Sequence, residues 1–377
     1  MIYLDYAATT PMSAEALEVY QQVAEHYFGN SSSLHDIGTS SQALLETCRS
    51  ETAKMIHGKK EGIYFTSGGS ESNFLAIRSL LKGNEKQGRH LITTKTEHSS
   101  VYQQCVSLEK EGYEVTFLDV DHEGIISLHQ LEKSIKADTC LVSIHHANSE
   151  TGIVQPLEDI GNLLKEKNIL FHSDCVQTFG KIPIDVEKLH LSSLSISSHK
   201  IYGPKGVGAL YINPSVSWLP LYEGASHERG MRPGTVDVPG IASFVSAAQM
   251  MHNSMEVNQE KDEMLRHFFI EKVKQLSLPI VLEAEDATCL PNIIGLRIQG
   301  IEGQHVMLEC NRKQIAISTG SACQVGSQSP SRTMMATGKT AEEAREFIRL
   351  SFGKDTTHAH VEAAVAALKD LIDEIKA

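Results

Sequence analysis

Ser197-Ser198-His199-Lys200-Ile201-Tyr202-Gly203-Pro204-Lys205-Gly206 follows the short apolar run 194–197. A strand that stops at a glycine- and proline-rich turn, with a lysine at its end, sets the frame for the rest of the chain. An amine in such a place can lose its proton and attack carbonyls. A lysine at a buried edge also serves commonly as one half of a salt bridge. Working outward, β-branched runs at 62–66, 90–94, 114–118, 139–145, 170–173, 194–197 and 208–212 read as strands. Helical patterns lie between several of them, such as 72–81 and the run Leu157, Ile160, Leu163, Leu164 opened by Pro156. Strand–helix alternation of this kind predicts a mostly parallel, doubly wound α/β sheet. Beyond about residue 250 the pattern changes to a long helix (257–276), a strand (293–298), a loop around Cys323, a helix from Ala341, a strand (347–352) and a last helix to Ile375. This predicts a smaller α+β domain.

The 377 residues are enough for two domains. A formal charge of −13 argues against sequence-independent nucleic-acid binding, which needs basic surface. No apolar run approaches a membrane span, and the opening Met1-Ile2-Tyr3-Leu4-Asp5 lacks the regions of a signal peptide. Seven scattered cysteines without a Cys-x-x-Cys pair fit a reducing, cytoplasmic setting better than a disulfide framework or a zinc site.

Ligands of open parallel sheets bind beyond the carboxyl ends of the strands, so the residues that follow each strand are informative. After 63–65 comes Thr66-Ser67-Gly68-Gly69-Ser70-Glu71-Ser72-Asn73, small and hydroxylated, opening a helix. Free amides and the helix dipole there attract an anion, although the same sequence also makes an ordinary helix cap. Thr96-Glu97-His98 offers an imidazole able to stack on a flat ring. Asn148 can bond a phenolic oxygen or its own turn backbone. Asp174 ends a strand with Gln177 one turn later; a carboxylate there can keep a pyridine nitrogen protonated, or simply cap the helix. His199 and Lys200 end the next strand. Taken together, these groups cover the needs of one cofactor, pyridoxal 5′-phosphate: an anion cradle, a stacking ring, an acid, polar contacts and a lysine for the aldehyde.

A second feature is Ser318-Thr319-Gly320-Ser321-Ala322-Cys323-Gln324-Val325-Gly326-Ser327, a lone thiol among small polar residues. That setting predicts an exposed, reactive cysteine, whereas Cys140 and Cys310 read as inert packing. Arg349, in Ile348-Arg349-Leu350-Ser351, suits a bidentate grip on a carboxylate or a plain salt bridge.

With these motifs the chain resembles, end to end, a cysteine desulfurase of the NifS/IscS type, a branch of the class V aminotransferases among fold type I pyridoxal-phosphate enzymes. Tyr3 to Thr10, Gly29 to His35, His227-Glu228-Arg229-Gly230 and Asp174-Cys175-Val176-Gln177 carry the likeness along with the segments above. The resemblance implies that Lys200 binds the cofactor's aldehyde and later moves protons. Gly69, Ser70, Ser197 and His199 would hold the phosphate, His98 would stack on the ring and assist with protons, Asp174 would pair with the ring nitrogen, and Asn148 and Gln177 would contact its oxygen. Asn30 and Arg349 match contacts to the substrate carboxylate. Thr235 matches a residue that reaches the phosphate of the neighbouring subunit, implying a homodimer. The substrate implied is L-cysteine, with Cys323 taking its sulfur as a persulfide and alanine leaving. The sulfur would pass to an acceptor protein, an iron–sulfur scaffold or client; the pattern is nearest to a branch linked to the iron–sulfur enzyme of NAD synthesis. The implied division is a large cofactor-binding domain at 16–255 and a small domain of 1–15 with 256–377. Ser149 stands where the family often has a second asparagine, Ser198 where it has Gly or Ala, and the sequence ends soon after Leu371 without the extended tail of some members. No metal is expected. A zinc site on His145, His146 and Asp174 is disfavoured because adjacent residues point opposite ways along a strand. Selenocysteine lyase and aminotransferase chemistry would use the same cofactor site; only the cysteine loop separates them.

Overall fold

A computed structural model of the chain describes residues 1–285, 287–320 and 330–376. The large sheet has seven strands in the order Ile63–Thr66, Gly208–Ile212, Ser193–Ser197, Leu170–Asp174, Thr139–Ser143, His90–Thr94 and Glu114–Leu118. Gly208–Ile212 is antiparallel to both of its neighbours, and the remaining pairs are parallel. The reversal has a simple cause. Ten residues, 198–207, separate the lysine strand from the next one, too few for the crossover that a parallel partner requires. The sheet is therefore mostly parallel, as the alternation predicts.

Five of these strands, Ile63–Thr66, His90–Thr94, Thr139–Ser143, Ser193–Ser197 and Gly208–Ile212, are buried at every residue. Such strands lack polar alternation because helices cover both faces. On one face, helix Gly69–Gly83 sets Leu75, Ala76 and Leu80 against Tyr64, Leu91 and Leu141. On the other, Leu157, Ile160 and Leu164 of helix Leu157–Glu166 join Val142, Phe171 and Ile196.

A separate cluster gathers Leu4 with Leu265, Phe269 and Val273 of helix Met255–Gln275, strands Ile293–Ile298 and Phe347–Ser351, and helix His358–Lys376. Ile293–Ile298 is the middle of three antiparallel strands, between Phe347–Ser351 and Ile280–Leu282. The chain's start, Ile2–Tyr3, pairs in parallel with Ile315–Ala316. Strands of two or three residues carry no readable period, and these were not anticipated from sequence. Among the described residues no helix is long and apolar enough to cross a membrane.

Candidate active site

The lysine strand ends in one 3-10 turn, Ser198–Lys200. Lys200 Nζ donates to the carbonyls of Ala7 (2.6 Å) and Ala8 (2.8 Å), which brings the chain's first residues to the sheet's edge. The neighbouring strand ends in Asp174, in register with Ser195. Asp174 Oδ2 accepts from Asn73 Nδ2 at 2.7 Å, and Oδ1 from the Val176 amide at 3.0 Å. Asn73 Oδ1 lies 3.1 Å from His172 Nε2, whose Nδ1 lies 2.8 Å from Ser193 Oγ. Burial holds the His172 imidazole down at about 4, so this ring is neutral and the network orients Asp174 without a competing cation.

A cavity of ≈290 Å³ is lined by Gly69, Ser70, His98, Asn148, Asp174, Gln177, Ser197, His199, Lys200 and Arg349. Ten expected site residues thus meet in one place. Asn148 makes the turn bonds that its sequence allows: Oδ1 accepts from the Glu150 and Thr151 amides at 2.8 and 3.0 Å, while Nδ2 donates to Thr96 O at 3.1 Å. His98 caps helix Ser99–Lys110, with Nδ1 2.8 Å from Ser100 Oγ. Arg349 donates to Asp5 Oδ1 at 2.6 Å and to Ser149 O at 2.7 Å, and its buried Nε has no hydrogen-bond partner.

Two expected residues lie elsewhere. Asn30 is exposed, its Oδ1 accepting from the Ser32 amide at 2.9 Å, and Thr235 is exposed on the segment before helix Val238–Asn253. Neither lines this cavity. Cys323 lies outside the described residues. Of the thiols expected to be inert, Cys140 and Cys310 are buried, and burial pushes each up to about 11.

The anion cradle adjoins this cavity. A space of ≈330 Å³ is bounded by Thr9, Ser67, Gly68, Gly69, Ser70, Ser197, His199 and Lys205. Gly68 has φ +146°, a conformation that favours glycine, and a Cβ at Gly69 would meet Val176 Cγ2 at 2.5 Å, so neither position admits a side chain without strain. Helix Gly69–Gly83 begins without a side-chain cap, which leaves its first amides for an anion. Ser197 Oγ is buried with no hydrogen-bond partner, and His199 Nδ1 sits 3.1 Å from Thr9 Oγ1. Burial first, and then the charges of Lys200 and Lys205, hold His199 at about 4. These residues fit pyridoxal phosphate on chemistry and shape: a cradle for a dianion, an acid one strand away from a lysine, and room for a flat ring between them.

Two supports were missed in the sequence. Asn73 is a buried asparagine on an otherwise apolar helix face with Ile77 and Leu80, a pattern that asks for a partner. Arg49, with Glu228 of the His227–Gly230 turn, is the other. Its guanidinium makes a bidentate pair to Glu228 (2.8 and 2.9 Å), and Glu228 Oε2 also accepts from the Phe65 amide at 2.7 Å. The strand that feeds the cradle is bolted from below. Glu228 and Arg229 carry positive φ (45° and 55°), and this pair holds the turn in that conformation.

A lysine, an acid and an anion cradle thus meet at the carboxyl edge of a mostly parallel sheet, an arrangement suited to an enzyme that holds a phosphorylated cofactor. The family described as aminotransferase class-V matches residues 2–364, and the chain belongs to it. A putative cysteine desulfurase NifS of Bacillus subtilis (strain 168) is 52% identical over 96% of this chain and 92% of its own length. Cysteine desulfurase IscS of Dictyoglomus turgidum (strain DSM 6724 / Z-1310) is 39% identical over 100% of this chain and 95% of its own. Among solved structures, a NifS-like protein superposes with a TM-score of 0.92 at 32% identity over 99% of both chains. SspA in complex with cysteine does so with a TM-score of 0.83 at 34% identity, over 93% of this chain and 99% of the other.

Proposed function

We propose that this chain is a pyridoxal-phosphate-dependent cysteine desulfurase, taking sulfur from L-cysteine and releasing L-alanine. The observation that carries the reading is the meeting of Lys200, Asp174 and Arg349 in one cavity beside the cradle, in a chain 52% identical to a putative cysteine desulfurase. Pyridoxal phosphate, when bound, supplies an aldehyde for amines and an electron-withdrawing ring.

The chain's own residues divide the remaining work. Gly69, Ser70, Ser197 and His199, which line one space, would hold the phosphate. Asp174, fixed by Asn73, would accept the hydrogen bond of the ring nitrogen and keep it protonated; His98 would stack on the ring, and Asn148 and Gln177 would contact its oxygen. Arg349 grips the substrate carboxylate through the guanidinium that now holds Asp5. The Lys200 amine removes the α-proton of cysteine and returns a proton to the α-carbon once the sulfur has left. Cys323, as thiolate, attacks the substrate sulfur; a sulfur–sulfur bond forms as the carbon–sulfur bond breaks, its electron pair passes to the β-carbon, and a proton taken up there completes the methyl group of alanine, leaving an enzyme persulfide with no external oxidant or reductant.

The division into 16–255 and 1–15 with 256–377 is part of the same proposal, supported by two of the five buried clusters among the described residues, the second of which takes in Leu4 while Tyr6 packs in the first. So is a homodimer in which Thr235, exposed here, reaches the phosphate of the neighbouring subunit, and so is a contact of Asn30 with the substrate carboxylate. The sulfur passes to an acceptor in iron–sulfur cluster or thio-cofactor assembly, the iron–sulfur enzyme of NAD synthesis being the favoured client, and the protein works in the cytoplasm. The test is to supply purified protein with cofactor and L-cysteine and to measure alanine and sulfide together. Equal amounts, dependent on Cys323, support the reading; pyruvate in place of alanine overturns it.

A further inference from the structure

Lys181 lies four residues beyond Gln177, and its Nζ donates to Gln177 Oε1 at 3.4 Å. Gln177 Nε2 donates in turn to the Ala7 carbonyl at 3.0 Å, and that carbonyl also accepts from Lys200 Nζ at 2.6 Å. Two lysine amines are therefore linked through one glutamine and one carbonyl oxygen. They also meet in a second cavity, which shares Lys200 with the cofactor cavity and adds Asp262 of helix Met255–Gln275. Its ≈40 Å³ has room for about two or three waters, and its polar lining gives them partners.

The chemistry leaves a need at this point. Lys200 acts as a base only when its amine is unprotonated, and its Nζ donates to the Ala7 and Ala8 carbonyls. No ion pair ties Lys181 to a carboxylate among the described residues. Burial first, and then the charge of Lys200, hold the Lys181 amine down at about 7, against the pull of Asp262 and helped by Arg349. Asp262 is itself raised to about 6 by burial.

We propose that Lys181 is a positioning residue that shares a single positive charge with Lys200, so that one amine can lie uncharged while the other carries the cation. The inference rests on Lys200 being the reactive lysine of the proposed function. Besides Asp262, the rear cavity presents the cations Lys261 and Lys354 and the phenols of Tyr6 and Tyr202, which burial keeps protonated. On the sheet side, Lys200 shares its cavity with Asp174, His98, His199 and Arg349. Of these groups, Lys181 is joined to the Lys200 acceptor by hydrogen bonds through Gln177.

The test is competitive acetylation of the full-length chain freed of cofactor, read at Lys181 and Lys200 by peptide mass spectrometry across pH. Lys200→Met should raise the labelling midpoint of Lys181 by about one pH unit, because a neighbouring cation has gone. Lys181→Arg, a cation that cannot yield its proton, should lower the Lys200 midpoint by about one unit relative to Lys181→Met. A Lys181 midpoint unmoved by Lys200→Met overturns the proposal even where the Lys181 variants do not fold. Equal Lys200 midpoints in folded Lys181→Arg and Lys181→Met overturn it as well. Neither measurement uses turnover, so a failure of the desulfurase reading leaves the charge-sharing result legible.

Discussion

Asn73 and Asp174, 101 residues apart in sequence, are joined by a 2.7 Å hydrogen bond at the carboxyl edge of the sheet. The same amide lies 3.1 Å from His172, so one helix residue contacts two of the three polar side chains of the strand that carries the acid. Removing it in Asn73→Ala should destabilise the protein by about 1–3 kcal/mol, the cost of leaving buried polar atoms unpaired. Turnover should fall further than affinity for the cofactor. Urea unfolding and cofactor titration read the two effects separately; unchanged stability would contradict the network.

Asp174→Ala should leave phosphate binding nearly intact, because the cradle is built from Gly68, Gly69 and Ser197. Its kcat should drop by about a hundredfold or more, the scale of a lost electrostatic or proton-transfer contribution. Steady-state kinetics with saturating cofactor measure this, and wild-type kcat would end the electron-sink role.

Arg49 and Glu228 form a buried pair under the strand that feeds the cradle. Glu228→Ala leaves Arg49 with Glu46 at 3.0 Å and the Ile63 carbonyl at 2.6 Å but unpairs the buried Phe65 amide and part of the guanidinium, and should cost about 1–3 kcal/mol. It should also weaken binding of pyridoxal phosphate more than binding of an analogue without phosphate, as measured by fluorescence titration. Equal weakening of both would show that the turn supports the fold alone.

Stability should decline as pH falls from the ordinary histidine range. Burial holds His146 and His172 at about 4 in the folded chain, below the unfolded value of about 6.5. The unfolded state therefore binds more protons between these limits, and the stability present above pH about 6.5 is lost as pH falls toward about 4. Urea midpoints should drop across this window, and His172→Gln should make the decline shallower. A midpoint that does not change with pH there would contradict the neutral, buried assignment.

Much of this was legible in the chain. The strands at 90–94, 114–118, 208–212 and 293–298 are found where β-branched runs place them, because a strand covered on both faces is written as continuous apolar sequence. The lysine, acid and cradle were readable because strand ends in parallel sheets have a fixed geometry. Strand 139–145 was read two residues too long: the sheet pairing stops at Ser143, and His145 and His146 are buried beyond it, with Glu97 Oε1 accepting from the His145 amide at 2.9 Å. Ala7 and Ala8 as acceptors for Lys200 could not be foreseen, since backbone carbonyls carry no side-chain signature. Asn73 and the Arg49–Glu228 pair join segments more than a hundred residues apart, and a single sequence has no period that reports such a contact.

Lys200→Ala, reduced with borohydride in the presence of pyridoxal phosphate, should carry no adduct on the peptide around residue 200, whereas the wild-type peptide should be modified there. Label on another lysine in the wild type would move the anchor.

The central claim, sulfur moved from cysteine to Cys323 by chemistry begun at Lys200, is tested most directly by one turnover of the loaded enzyme with L-cysteine followed by peptide mass spectrometry. The account predicts one added sulfur atom on the peptide bearing Cys323 and one alanine per site, with the added sulfur lost and the cofactor retained in Cys323→Ser. Alanine and sulfide formed at the wild-type rate by Cys323→Ser would contradict it.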